Sequence, residues 1–166
     1  MEAEKEILEK INAKFAVSGE IERKQRVWIT VDNNILLRLC RWLKEQDFVH
    51  LSAISVTDWV NEGKYEIVYL LWSYSDGILI GVKTKIDREN PIIDSVVPLW
   101  GENAQIHERE LHELYGVEFE GNSDLTPLFL EDWDGPPPFR KDFDWRDYVR
   151  EKYYSEENAR ERVYYE

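Results

Sequence analysis

The chain of 166 residues contains a single cysteine, Cys40, and a single methionine. One cysteine cannot form a disulfide within the chain, and it cannot by itself ligate an iron–sulfur cluster. We therefore assign no cofactor to this chain. Cys40 lies in the apolar run LLRLCRWL, which is typical of a small buried residue. Scarce cysteine and methionine beside abundant Glu, Lys and Arg favour a thermophilic source.

Long apolar segments and an excess of cations are also missing. The longest apolar run, at residues 67–72, is far shorter than the roughly 20 residues of a membrane-spanning helix. Lys and Arg number 21 against 34 Asp and Glu, and the formal charge of −13 repels nucleic acids and anionic membrane surfaces at long range. The first residues, MEAEKE, are too charged for a secretory signal. We expect a soluble, cytoplasmic protein with no nucleic-acid partner.

Motifs for phosphate binding and nucleophilic catalysis do not occur in the sequence, which lacks a glycine-rich loop and a G-x-S-x-G elbow. The most suggestive cluster, HERELHE at residues 107–113, has its two histidines five residues apart. That spacing separates His107 from His112 by about 140° around a helix, whereas a zinc-protease pair is about 40° apart. We assign no catalytic, cofactor-binding or metal-binding residue. Two alternatives stay open: a stand-alone metal-dependent enzyme that uses His107, Glu108 and His112, and a free acidic adaptor domain.

The hydrophobic pattern predicts an α+β fold. Apolar residues at helical spacing predict helices over residues 2–15, 35–43 and 96–115, with Gly116 as the C-cap of the last. Strands are expected over residues 27–31, 49–56, 65–72 and 78–86, with a tight turn at residues 75–77. Strand and helix do not alternate regularly. We therefore predict a mixed or antiparallel sheet of about four strands with helices packed on one side.

The C-terminal part has a different composition. From Glu131 onward there is no Leu and no Ile, yet the segment carries nine aromatic residues. Three consecutive prolines at residues 136–138 favour an extended conformation. Such a segment lies across its own domain, a partner, or both, and its Tyr and Trp content favours a partner. We divide the chain into an α+β domain over residues 1–121 and an extended, aromatic-rich docking arm over residues 122–166.

Two blocks of sequence resemble a known family. Residues 108–121, ERELHELYGVEFEG, closely resemble the signature of the 30 kDa subunit of respiratory complex I, which reads E-R-E-x-x-[DE]-[LMF]-[FY]-G-[IV]-x-F-x-G-H-P-D-L-R-R. Residues 124–125 keep its D-L step, and residues 133–143, WDGPPPFRKDF, resemble the family's W-x-G-x-P-[LF]-R-K-D-F block. Residues 122–123, Asn-Ser, replace the family's H-P, and residues 126–127, Thr-Pro, replace its R-R. The resemblance extends to related subunits of membrane-bound hydrogenases and archaeal ferredoxin-dependent complexes.

The resemblance implies a non-catalytic structural subunit in the peripheral arm of a complex-I-like, ion-translocating oxidoreductase. The complex would be NADH- or ferredoxin-linked, with the archaeal hydrogenase or sulfur-reducing branch favoured. Its implied partners are a hydrogenase-like large subunit and a small subunit, with iron–sulfur clusters in those partners. They would attach the chain peripherally to the inner face of the cell membrane. The residues that match the family's motifs, and so imply the partner interface, are Glu108, Arg109, Glu110, Tyr115, Gly116, Phe119, Asp124, Leu125, Trp133, Arg140, Lys141, Asp142 and Phe143.

Overall fold

The computed structural model describes residues 2–153, so the arm residues Tyr154, Tyr164 and Tyr165 lie outside the described residues. The helices are α1 (Glu2–Phe15), α2 (Asn33–Glu45), α3 (Val97–Trp100), α4 (Glu102–Tyr115) and α5 (Trp145–Tyr153). The strands are β1 (Gly19–Arg23), β2 (Arg26–Thr30), β3 (His50–Trp59), β4 (Lys64–Ser73), β5 (Ile78–Asp87), β6 (Ile92–Asp94) and β7 (Glu118–Glu120). A short 3₁₀ turn, Val60–Glu62, joins β3 to β4.

The main sheet has five strands in the order β1-β2-β5-β4-β3. Strands β2 and β5 are parallel, and the other neighbours are antiparallel. The predicted α+β class with a mixed sheet is confirmed. The additional strand, β1, was not predicted because its sequence GEIER has no apolar alternation, and only Ile21 is even half-buried. A second, two-stranded parallel sheet pairs β6 with β7.

One face of the main sheet forms the core. Tyr65, Ile67, Tyr69 and Leu71 alternate along β4 and are all fully buried, as the period-two pattern predicts. Helix α2 supplies a matching stripe of buried leucines at positions 36, 39 and 43, each contributing roughly 2 kcal/mol of burial free energy. Cys40 is buried on the same helix, where burial raises the pKa of its thiol to about 12.

The predicted helical stretch over residues 96–115 is two helices, because Gly101 adopts a positive φ of 57° between α3 and α4. Gly116 ends α4 in the left-handed region, with φ 77°, and its N–H donates to the carbonyl of His112. The predicted C-cap is therefore confirmed. This turn leads directly into β7 and the arm.

The arm runs without helix or strand from residue 122 to residue 144 and ends in α5 within the described part of the chain. The Phe139 N–H donates to the Leu114 carbonyl at 3.0 Å, and the Lys141 N–H donates to the Asp58 carboxylate at 3.0 Å. The arm is thus held at residues 139–141 against α4 and the end of β3.

No helix among residues 2–153 is long and apolar enough to cross a membrane.

Candidate docking site

Glu108, the first residue of the signature, is completely buried beneath the turn between β6 and α3. Its carboxylate accepts hydrogen bonds from the Ser95 hydroxyl at 2.8 Å, the Val96 N–H at 2.7 Å and the Asn122 amide at 2.9 Å. Burial raises the pKa of Glu108, although the three donors oppose that change. Glu108 has no exposed surface and Phe119 is 2% exposed, so both side chains pack inside their own domain, and their predicted interface role stays a prediction.

The loop after the signature is fastened to α4 by side chains. Arg109 donates from Nε to the Thr126 carbonyl at 3.0 Å and from Nη2 to the Pro127 carbonyl at 2.8 Å. The Asp124 carboxylate accepts from the Thr126 hydroxyl at 2.7 Å and its N–H at 3.2 Å. Arg109 and Asp124, both predicted interface residues, therefore shape the loop that begins the arm.

Glu113 holds the next part of the arm. Its carboxylate accepts the consecutive N–H groups of Leu128, Phe129 and Leu130, the last at 2.7 Å. Three convergent N–H donors fix both the path and the orientation of this segment. Sequence analysis did not assign Glu113 a role, although it occupies the third acidic position of the signature.

An ion-pair network, which we call the Arg88 clamp, ties the arm to the sheet; its members are Asp58, Arg88, Glu89, Arg140 and Asp142. The Arg88 guanidinium, 4% exposed, donates to Asp58 at 2.7 and 3.1 Å and to Asp142 at 3.0 Å. Arg140 donates to Glu89 at 2.9 Å. Arg140 and Asp142 were predicted to face a partner, and here they bind residues of their own domain.

The clamp is charged at neutral pH. Burial raises the pKa of Asp58, but hydrogen bonds from Arg88 and from the Lys141 N–H outweigh that effect and leave the pKa below its ordinary value. The hydrogen bond from Arg88 holds the pKa of Asp142 well below its usual range. Sequence analysis missed Asp58 and Arg88. Asp58 could have been found from the sequence, because it follows Leu51 and Ile54 on the core face of β3. A charge on a buried face requires a partner of opposite charge.

The aromatic residues of the arm form two groups. Trp133 packs on Tyr148 and Phe143 with ring centroids 5.2 and 6.1 Å apart, and its indole N–H donates to the Pro136 carbonyl. Trp133 and Phe143 thus contact each other within the arm. The second group joins arm to domain. There, Phe139 packs edge-on against Tyr115 at 5.9 Å.

Three remaining predicted interface residues lie along this path. Gly116 faces the ring of Pro137 so closely that a Cβ at position 116 would lie 2.9 Å from its Cγ. Leu125 is half-buried against the core, and the Lys141 side chain is exposed.

Between α4 and the arm lies an open apolar cleft of about 460 Å³, which we call the arm groove. It includes Glu110, a predicted interface residue, and the exposed rings of Phe129 and Phe139. The lining residues are Glu110, Leu114, Phe129, Leu130, Trp133, Pro138, Phe139 and Trp145. All but one are apolar, so the groove can accept apolar side chains from another protein.

The alternative metal site is not assembled. Glu108 already accepts three hydrogen bonds, and His112 Nδ1 lies 2.9 Å from the Val117 carbonyl oxygen. Across residues 2–153, no three His, Cys, Asp or Glu side chains are arranged to hold a metal ion.

Comparison with known proteins identifies the fold's relatives. The model of the respiratory-chain NADH dehydrogenase 30 kDa subunit family matches residues 29–149. A subunit of the F420H2 dehydrogenase of Methanosarcina mazei is 36% identical over 143 residues, which cover 83% of this chain and 90% of that protein. A subunit of the NADH-quinone oxidoreductase of Erythrobacter litoralis is 34% identical over 152 residues, which cover 90% of this chain but 59% of that protein.

Two solved structures extend the comparison. A chain of the membrane-bound sulfane sulfur reductase, an archaeal respiratory membrane complex, superposes with a TM-score of 0.84 and 31% identity, covering 92% of each chain. A trypsin-resistant fragment of Nqo5 gives a TM-score of 0.62 and 27% identity, covering 73% of this chain and 98% of the fragment. This α+β domain is thus shared with subunits of complex I-like oxidoreductases. The chain belongs to the respiratory-chain NADH dehydrogenase 30 kDa subunit family, which confirms the resemblance found in the sequence.

Proposed function

We propose that this chain is a non-catalytic structural subunit that docks on the hydrogenase-like large subunit of its complex. The arm groove is the observation that carries the proposal. Phe129 and Phe139 expose 65% and 55% of their surface around one apolar cleft. Clusters of exposed apolar side chains mark protein–protein contact sites, because their exposure to water is unfavourable until a partner covers them.

Membership of the family supports the presence of partner subunits. We propose contacts with the large subunit and with the small iron–sulfur subunit, and we place the iron–sulfur clusters in these partners. They would hold the chain at the inner, cytoplasmic face of the cell membrane. The single buried cysteine supports a role without a redox centre, since a cluster needs several thiolates.

The similarities favour an ion-translocating complex of the archaeal type. They include a subunit of an F420H2 dehydrogenase and, across almost the whole chain, a subunit of the sulfane sulfur reductase complex. We propose that this chain has the same structural place in a related complex, whose other subunits determine the electron donor and acceptor.

The test is purification of the intact complex from native membranes through an affinity tag on this chain. We expect co-purification of the large subunit, the small subunit and integral-membrane subunits, with the iron confined to the partner subunits. A chain that elutes alone from solubilised membranes, or one that carries iron after purification by itself, would refute the proposal.

A substitution sharpens this test. We expect Trp133→Ala to lower incorporation into the complex by at least about 30-fold, since loss of a packed aromatic anchor costs about 2 kcal/mol or more. Tyr74→Ala is the matched control because Tyr74 is 68% exposed and lies in the β4–β5 turn, outside the arm. Equal incorporation of both variants would contradict a docking role for the arm.

A further inference from the structure

The arm groove has rigid walls before any partner binds. Phe139 is held by its ring contact with Tyr115 and by its N–H bond to the Leu114 carbonyl. On the opposite side, the N–H groups of Phe129 and Leu130 are fixed by the Glu113 carboxylate. A cleft whose walls are fixed loses little conformational entropy when it is filled, so binding there is favoured.

Glu110 is the one ionisable residue among those that line the groove. Within residues 2–153 the Glu110 carboxylate makes no hydrogen bond or ion pair, whereas the nearby Glu113 carboxylate accepts three N–H donors. Glu110 is half-buried at the edge of an apolar surface, where a charge gains more from a partner than it does in open water. The groove therefore combines an apolar floor with an unpaired negative charge at its edge.

We propose that the groove binds a segment of the partner subunit that inserts an apolar side chain between Phe129 and Phe139 and pairs a neighbouring Lys or Arg with Glu110. This inference rests on the proposed function and adds the chemistry of the contact. The formal charge of −13 supports a cationic segment from a different protein, because a second copy of this acidic chain would be repelled.

Photo-crosslinking in the assembled complex identifies the occupant. We replace Phe129 by p-benzoylphenylalanine, since this ring is the most exposed in the groove, and sequence the crosslinked peptide. The expected product joins this chain to a partner-subunit peptide with an apolar residue within a few positions of Lys or Arg. A crosslink to a second copy, to residues 154–166 of the same chain, or to a partner peptide without a cation would overturn the proposal.

Two substitutions test the energetics in the same complex. We expect Glu110→Lys and Phe129→Ser each to reduce retention of the chain at least tenfold when the complex is washed at rising salt. Glu120→Lys, at an exposed position outside the groove, makes the same charge reversal and is the control. Far-UV circular dichroism and the melting temperature of each purified variant show that it folds.

The outcomes separate this inference from the proposed function. If the unaltered chain does not co-purify with other subunits, the proposed function fails. If the unaltered chain assembles and both groove variants are retained as well as Glu120→Lys, the proposed function stands and the groove inference is wrong.

Discussion

From the geometry of the Arg88 clamp we predict that the Asp142 carboxylate controls how firmly the arm is held to the domain. Asp142→Asn keeps the size of the side chain but removes its charge and one of its two acceptor oxygens. Arg88 then keeps Asp58, its buried partner at 2.7 Å, while its contact with the arm becomes a single hydrogen bond to a neutral amide oxygen. We therefore expect the arm to open locally while the sheet remains folded.

The size of the effect follows from exposure. Breaking a fully buried ion pair costs about 3–5 kcal/mol, but the Asp142 side chain is 48% exposed, and solvent screens its charge. We therefore expect the free energy that holds the arm on the domain to fall by about 1.5 kcal/mol when the charge-assisted bonds are lost. This corresponds to about a tenfold increase in the population of the open arm.

Amide hydrogen exchange measures this opening directly. The N–H groups of Phe139 and Lys141, which bond to Leu114 and Asp58, should exchange about tenfold faster in Asp142→Asn, while amides of β4 and β5 are unchanged. Asp132→Asn, an identical change at an exposed position in the same arm, is the control. Exchange that rises equally in arm and sheet, or in neither, would refute the clamp.

Three further predictions concern the domain and its pH dependence. Glu108→Gln places an amide N–H₂ against the N–H and O–H groups that now donate to the carboxylate. The free energy of unfolding, measured in urea, should therefore fall by about 2 kcal/mol, and a change near zero would contradict the buried network. Gly81→Ala puts a Cβ 2.1 Å from the Trp28 ring, so the indole must move. We expect a changed tryptophan fluorescence spectrum and a free energy of unfolding that is lower by about 1–3 kcal/mol. An unchanged spectrum would refute the contact. Because the folded pKa of Asp58 is depressed, the clamp stabilises the arm above the unfolded carboxyl pKa of about 4 and is lost as the pH falls below it. Pepsin cleavage of the arm, divided by its cleavage of an unfolded peptide at the same pH, should therefore increase as the pH falls from about 4 to about 2, and an unchanged ratio across that range would contradict the linkage.

The regular elements could be predicted because their signals are local. Apolar residues alternate along β4 and β5, and leucines form a stripe on α2. These patterns predict which face of each element is buried, and the structure buries those faces. Strand β1 could not be found in this way, because GEIER has no apolar alternation and pairs along only one side with β2. The division into a domain over residues 1–121 and an arm over residues 122–166 stays a prediction.

The candidate site was predicted unevenly. The signature and the WDGPPPFRKDF block identified the region, and the match to the family model confirms the family. The roles of single residues were less predictable. Glu108 is a buried acceptor, and Asp142 binds its own domain through Arg88. A motif records which residues a fold requires, but it does not distinguish a residue that touches a partner from one that positions the loop beside it.

The sequence alone determined the fold class, the family and which part of the chain is rich in aromatic residues, because periodicity, composition and motif spacing are properties of neighbouring residues. Only the tertiary structure decided where the arm lies and which charges meet. Arg88 binds Asp58, which is 30 residues away in the sequence, and Asp142, which is 54 residues away. Such pairs form because sheet and helix packing bring distant segments together and exclude water between them, so they depend on the folded chain as a whole.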